Sequence, residues 1–222
     1  MAKWLRFRHR GEATLGRLVG DDVQIHRGDL FDDPQPTGET LPVADVDWLC
    51  PVEPRNFHAL WTNSWARKEQ EGLFIAEFPL YFMKATTSLL PNLGVIRRPP
   101  GFDGKVKFEA ELGVVIGRKC FQVSEQDAGS YVFGYTGVND VTAPDVLNAE
   151  PRFKQWTRSK SFPTFGVIGP VIETELNLDE VRIQARLEGE TRQDFPLSDM
   201  IDGPLTLVSR ISQDVYLYPG MS

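Results

Sequence analysis

The sequence predicts a mixed, mostly β fold of the α+β class, and three observations carry that prediction. Short runs rich in β-branched and aromatic residues recur along the whole chain between turn residues, as at residues 4–8 and 14–19. Helix-permissive stretches are short and scattered, as at residues 63–72. Long helical periods alternating with strands, which a doubly wound parallel sheet requires, do not occur. The 222 residues suffice for one good core with a small appendage.

Residues 3–30 read as strands over 4–8, 14–19 and 23–26, the last following an Asp21-Asp22 turn. Residues 31–40, with Pro34, Pro36 and Gly38, read as a turn-rich linker without regular structure. This linker divides a small N-terminal β unit (1–47) from a main domain (48–222). The polar segment 63–72 precedes a strand over 80–84, and Pro99-Pro100-Gly101 marks a turn. A strand over 108–116 follows, with Ala110, Leu112, Val114 and Ile116 on one face. Ser124 and Asp127 have capping-box spacing and open a short helix through about Tyr131. Residues 135–140 are extended, strands follow near 166–170 and 181–187, and a helix is expected near 198–210.

A formal charge of -7 and a pI near 5.1 argue against a general nucleic-acid-binding face, so an anionic partner needs a local cation. Cys50 and Cys120 make neither a disulfide framework nor a metal-ligand spacing. The first ten residues are charged and lack the apolar stretch of a secretory signal. No apolar run approaches the roughly 18 residues of a membrane span. The expectation is a soluble, cytoplasmic protein that binds no membrane.

Chemistry enters with the segment 108–117, Phe-Glu-Ala-Glu-Leu-Gly-Val-Val-Ile-Gly. Residues two apart on a strand share a face, so Glu109 and Glu111 project side by side. Two such anions repel unless a cation lies between them, and hard oxygen ligands suit Mg²⁺, Mn²⁺ or Ca²⁺ rather than zinc. Asp140 ends the extended run Gly-Val-Asn-Asp, and Lys160 lies in Ser-Lys-Ser-Phe-Pro-Thr-Phe. Singly these are ordinary: a Glu-x-Glu pair usually marks a solvated strand face, Asp140 a turn and Lys160 the surface. Here, however, the face of the glutamates continues through Gly113 and Val115 while the other face is apolar. That pattern points to a strand covered on both sides in its second half.

In order along the chain, the segments 79–84, 106–117, 131–140, 156–170, 188–193 and 217–220 resemble the fumarylacetoacetate hydrolase family over roughly residues 48–220. The resemblance implies a mixed β-sandwich roll with a divalent cation, Mg²⁺ as a rule, on the positions matched by Glu109, Glu111 and Asp140. It also implies a homodimer acting on small 2-oxo or β-diketo acids by carbon–carbon hydrolysis, decarboxylation, isomerisation or hydration through a metal-stabilised enolate, as in aromatic catabolism. Lys160 would be the catalytic lysine that holds developing negative charge or an attacking water. Arg67 and Lys84 would bind substrate.

Three departures qualify the likeness. Hydrolytic members carry Asn-Tyr-x-x-His-x-x-Glu ahead of the strand at 80–84; here Arg67 and Gln70 stand at the His and Glu positions, with His58 nearby. After the metal aspartate, the family's substrate-facing Arg and Gln are replaced by Pro144 and Leu147. Members continue past Leu-x-Pro-Gly into a strand and a closing loop, whereas this sequence stops at Ser222, so the main domain is expected to lack its C-terminal end. These departures leave three readings: an enzyme for which isomerisation, hydration or lyase chemistry stands level with hydrolysis, a silent relative that binds metal and a small acid or a partner, and a plain β-rich domain whose carboxylates face solvent.

Overall fold

The computed structural model describes residues 2–221 and builds them around one eleven-stranded sheet. Its opening strands, β1 (Lys3–His9), β2 (Glu12–Val19), β3 (Asp22–Asp29) and β4 (Asp32–Pro42), form an antiparallel meander. Strand alternation buries Leu5, Phe7, Val23 and Ile25 together, and Val46 closes that core.

β4 corrects the reading of residues 31–40 as an irregular linker. Proline lacks an N–H, but β4 is the last strand of the sheet, and one of its sides needs no ladder bonds. Pro36 lies opposite His26, and register shifts flank it. Prolines and bulges here blunt an edge rather than break a strand.

β5 (Asp47–Leu49) also pairs with β1. β6 (Phe57–Leu60) then makes a separate hairpin with β7 (Tyr81–Lys84), and the connection carries helix α1 (Trp65–Glu71). The chain continues through β8 (Leu89–Leu90), β9 (Ala110–Ile116), α2 (Glu125–Ala128), β10 (Val132–Asp140), α3 (Pro144–Leu147) and α4 (Trp156–Lys160). It ends with β11 (Gly166–Ile168), β12 (Ile172–Glu173), the hairpin β13 (Arg182–Leu187) and β14 (Glu190–Pro196), α5 (Pro204–Ser212) and β15 (Gly220–Met221).

The sheet runs β15-β9-β10-β12-β1-β2-β3-β4, with β11 between β10 and β8. β12 joins its two parts: Glu173 lies opposite Lys3 on one side and Tyr135 on the other. Gly134 permits this approach, because a Cβ there would meet the Glu173 carbonyl oxygen at 2.6 Å.

β9 is covered on both sides at its second half, as its pattern implies. Val115 packs with Phe57, Val138, Ile168 and Ile172, whereas Ile116 joins a different core with Val123, Val208, Ile211 and Leu217. Ser124 caps α2, accepting from the Asp127 N–H at 3.2 Å and donating to its carboxylate at 2.7 Å. The helix expected near 198–210 starts later: residues 197–199 form a 3-10 turn, and Pro204 opens α5 at the one helical position where a missing N–H costs nothing. Among the described residues no helix is long and apolar enough to cross a membrane.

Candidate metal centre

Register brings the acidic residues together. Glu111 lies opposite Val138 and Ala110 opposite Asn139, and the Asp140 N–H donates to the Glu109 carbonyl at 2.9 Å, extending the ladder one step. Asp140 therefore stands across from Glu109, and Glu111 returns to the same face two residues on. One oxygen each from Glu109, Glu111 and Asp140 lies within 4.8 Å of the others.

Three polar residues hold this corner. Asn139 Oδ1 accepts from the Glu109 N–H at 3.0 Å, and Gln193 Oε1 accepts from the Ala110 N–H at 2.8 Å. Thr142 Oγ1 lies 3.1 Å from Glu109 Oε2 and 3.0 Å from the Asp140 carbonyl. The sequence reading gave none of them a role; their partners are distant backbone and side-chain groups, which leave no periodic signal.

Two lysines complete the cluster. Lys160, at the end of α4, donates to Glu109 Oε2 and Asp140 Oδ2 at 2.5 Å each. Lys84, at the end of β7 and 1% exposed, donates to Asp140 Oδ1 and to the carbonyls of Phe165 (3.1 Å) and Val141 (3.5 Å). Its ammonium is thus engaged by three protein oxygens and turned toward Asp140. Burial lowers the Lys84 pKa against the pull of Asp140. Burial also works against charge on Lys160, but the carboxylates of Asp140 and Glu109 outweigh it and the pKa is raised.

Two ammoniums can balance only two of the three carboxylates, and the unbalanced one, Glu111, tends to keep its proton. Burial first, then the charges of Asp140 and Glu109, push its pKa up to about 8, with Lys160 and Lys84 only partly offsetting them. Such a group is fully ionised at neutral pH only when further positive charge arrives. An all-oxygen donor set with one carboxylate more than the lysines balance fits a hard divalent cation such as Mg²⁺, Mn²⁺ or Ca²⁺.

Among the described residues Arg67 makes no hydrogen bond or ion pair with this cluster. It is exposed on α1, and its Nε donates to Glu71 one turn along at 3.1 Å; Gln70 is exposed on the same helix. α1 is tied instead to the segment before α5. Ser64 Oγ and the Ala66 N–H donate to the Asp199 carboxylate at 2.5 and 2.9 Å, and Asn63 exchanges two bonds with the Asp202 backbone at 2.8 and 2.9 Å. His58 pairs with Met83 in the β6–β7 hairpin, on the face opposite Phe57 and Lys84. It is buried against the edge of Tyr81 at 5.7 Å, its Nδ1 has no hydrogen-bond partner among the described residues, and burial lowers its pKa.

Rings form a second layer beside the lysines. Phe82 shares a strand face with Lys84, and Trp156 precedes Lys160 by one helical turn. The two rings stack at 5.2 Å and 18°, and Lys160 Nζ lies 5.2 Å from the Phe82 centroid.

The comparisons with known proteins bear on this geometry. A family model described as fumarylacetoacetate (FAA) hydrolase C-terminal matches residues 54–221, and one described as Rv2993c-like, N-terminal matches residues 2–51. Oxaloacetate tautomerase YisK of Bacillus subtilis is 33% identical, covering 66% of this chain and 48% of its own. The mitochondrial oxaloacetate tautomerase FAHD2B of Homo sapiens is 30% identical, covering 97% of this chain and 65% of its own. The solved structure of a 5-carboxymethyl-2-hydroxymuconate delta-isomerase from Mycobacterium smegmatis matches with a TM-score of 0.89 and 29% identity, covering 98% of this chain and 85% of that one. The match at 54–221 spans every acid and lysine of the cluster, and with it the chain belongs to the fumarylacetoacetate hydrolase family.

Proposed function

We propose that the protein is a divalent-metal-dependent enzyme that isomerises a small 2-oxo or enol acid, moving a proton between carbon and oxygen. The observation that carries this reading is the convergence of Glu109, Glu111 and Asp140 beside the ammonium of Lys160. When bound by the three carboxylates, the cation supplies the Lewis acidity that polarises a 2-oxo group. Lys160, kept charged by Asp140 and Glu109, stabilises the negative charge that an enolate places on the substrate oxygen. Lys84 holds Asp140 from the buried side, and Thr142 orients Glu109.

Isomerisation takes precedence over hydrolysis because Arg67 and Gln70 occupy the positions of the water-orienting pair. A guanidinium is always charged and takes no proton from water at neutral pH. Relatives named as tautomerases and an isomerase support the same choice. A cytoplasmic homodimer belongs to the proposal, and light scattering in solution tests the dimer.

The decisive assay follows the enol absorbance of oxaloacetate with Mg²⁺ or Mn²⁺. Accelerated decay is expected, abolished by a chelator and strongly reduced in Glu111→Gln, which removes one of the three oxygens that would hold the ion. A second reading rests on Arg67, Gln70, Pro144 and Leu147: a silent relative that holds the ion and an acid without turnover. A metal-dependent rise in melting temperature, with no turnover of oxaloacetate, acylpyruvates or fumarylacetoacetate, would select it. Absence of any thermal shift with divalent ions would sink both.

A further inference from the structure

We infer that Gln193 is a positioning residue for the metal centre, through which the β13–β14 hairpin governs how tightly Glu109 and Glu111 hold a divalent ion. The inference rests on the reading above that the carboxylates bind such an ion, and it adds a control on that site.

Gln193 stands out on its own hairpin. Ile183 lies opposite Phe195 and Ala185 opposite Gln193, so alternation gathers these four side chains on one face. All four are half-buried, whereas their neighbours Arg182, Gln184 and Asp194 are exposed. Three members of the covered face are apolar, and burial alone accounts for them. A glutamine half removed from water needs a specific partner in exchange.

That partner is the Ala110 N–H, 2.8 Å from Gln193 Oε1. Bonding toward β10 falls to Glu109, whose carbonyl accepts from the Asp140 N–H at 2.9 Å, so antiparallel alternation turns the Ala110 N–H to the outer flank of β9. On that flank β15 pairs only with Val115 and Ile116. The donor between the two glutamates thus meets a side chain where a strand would otherwise lie. Among the described residues this is the one side-chain hydrogen bond that joins the hairpin to the large sheet; the others made by its side chains stay within it. The Ala110 N–H belongs to the peptide group that follows Glu109, and Glu111 is the next residue. A shift there re-aims both carboxylates, whose oxygens must stay within 4.8 Å of each other and of Asp140 to share an ion. The coupling is reciprocal: an ion that fixes the two glutamates also fixes this N–H and steadies the hairpin.

Calorimetric titration of chelator-treated protein with Mn²⁺ tests this with no substrate present. Gln193→Met keeps the side-chain length and removes the acceptor, and its Mn²⁺ dissociation constant should rise about tenfold, the scale of losing an outer partner of a metal ligand. Gln193→Glu keeps an acceptor oxygen and should return the constant to near the wild-type value. Gln193→Met combined with Thr191→Glu adds the same charge on an exposed neighbour without the acceptor, and should stay weak. Recovery in both would trace the effect to charge and overturn the proposal. A merely structural role lowers the melting temperature of the ion-free variants and leaves their Mn²⁺ dissociation constants unchanged, which also overturns it. Independently of any variant, Mg²⁺ should slow hydrogen exchange across residues 182–196 of the wild type, and equal exchange with and without the ion counts against the coupling outright. A flat wild-type titration removes the metal reading itself, and the role of Gln193 with it.

Discussion

Asp140 is the residue on which the order of the site depends, because each of its oxygens accepts from a different buried ammonium. Removing one partner of a buried ion pair leaves charge uncompensated at a cost of about 3–5 kcal/mol. Lys84→Met, which keeps most of the stem volume, should lose that much stability in urea denaturation of chelator-treated protein. A loss within experimental error of zero would mean that Lys160 alone satisfies the carboxylate. His58 provides a pH signature away from the acids. Burial holds its folded-state pKa below the usual 6.5, so just under that value the unfolded chain binds more protons than the folded one. The stability contributed by neutral His58 is full above pH 6.5 and is lost as pH falls through the window beneath it. His58→Phe should flatten the slope of stability between about pH 7 and pH 5; an identical slope in both proteins refutes the assignment.

At the scale of elements, α1 depends on what holds its ends. A seven-residue helix is marginal by itself, and this one starts at Ser64 and stops at Gly72, whose φ of 64° suits glycine. Asp199 adds a remote anchor by accepting from both Ser64 and the Ala66 N–H. Asp199→Ala should therefore free this helix with little global effect, about 1 kcal/mol for a lost cap. Hydrogen exchange would show protection falling across residues 65–71 alone; unchanged protection there would place the anchor elsewhere. β9 and β10 have no such dependence, since their ladder runs from Val132 to Asn139 and each strand is covered by core. The carboxylate corner thus rests on a well-covered pair of strands while α1, at Arg67 and Gln70, is held by a few polar contacts.

Across the whole molecule, legibility followed locality. The alternation that paired Glu109 with Glu111 is a two-residue signal, and the double covering of β9 could be read from Gly113, Val115 and Ile116. Asp140 and Lys160 could be joined to them only through the order of several motifs, because no local period links residues so far apart. β4 was misread because Pro34 and Pro36 signal a break unless one knows that nothing pairs on the strand's far side. The burial of Lys84 was equally invisible, since its acceptors come from Asp140, Val141 and Phe165. The stacking of Phe82 on Trp156 required the periods of a strand and a helix to coincide in space.

The bridge at β12 sets a timetable for synthesis. On that flank Arg6, Phe7 and Arg8 pair with nearby β5, but Lys3 and Trp4 pair with Glu173 and Ile172, so the start of β1 leaves the ribosome long before its neighbour exists. The meander can zip up early and β5 can close part of its flank, but the first residues of β1 must wait for late-made chain. Pairings so far apart in sequence are the slow ones to form. In the interval that uncovered strand is the place where a nascent chain most needs a chaperone's shelter.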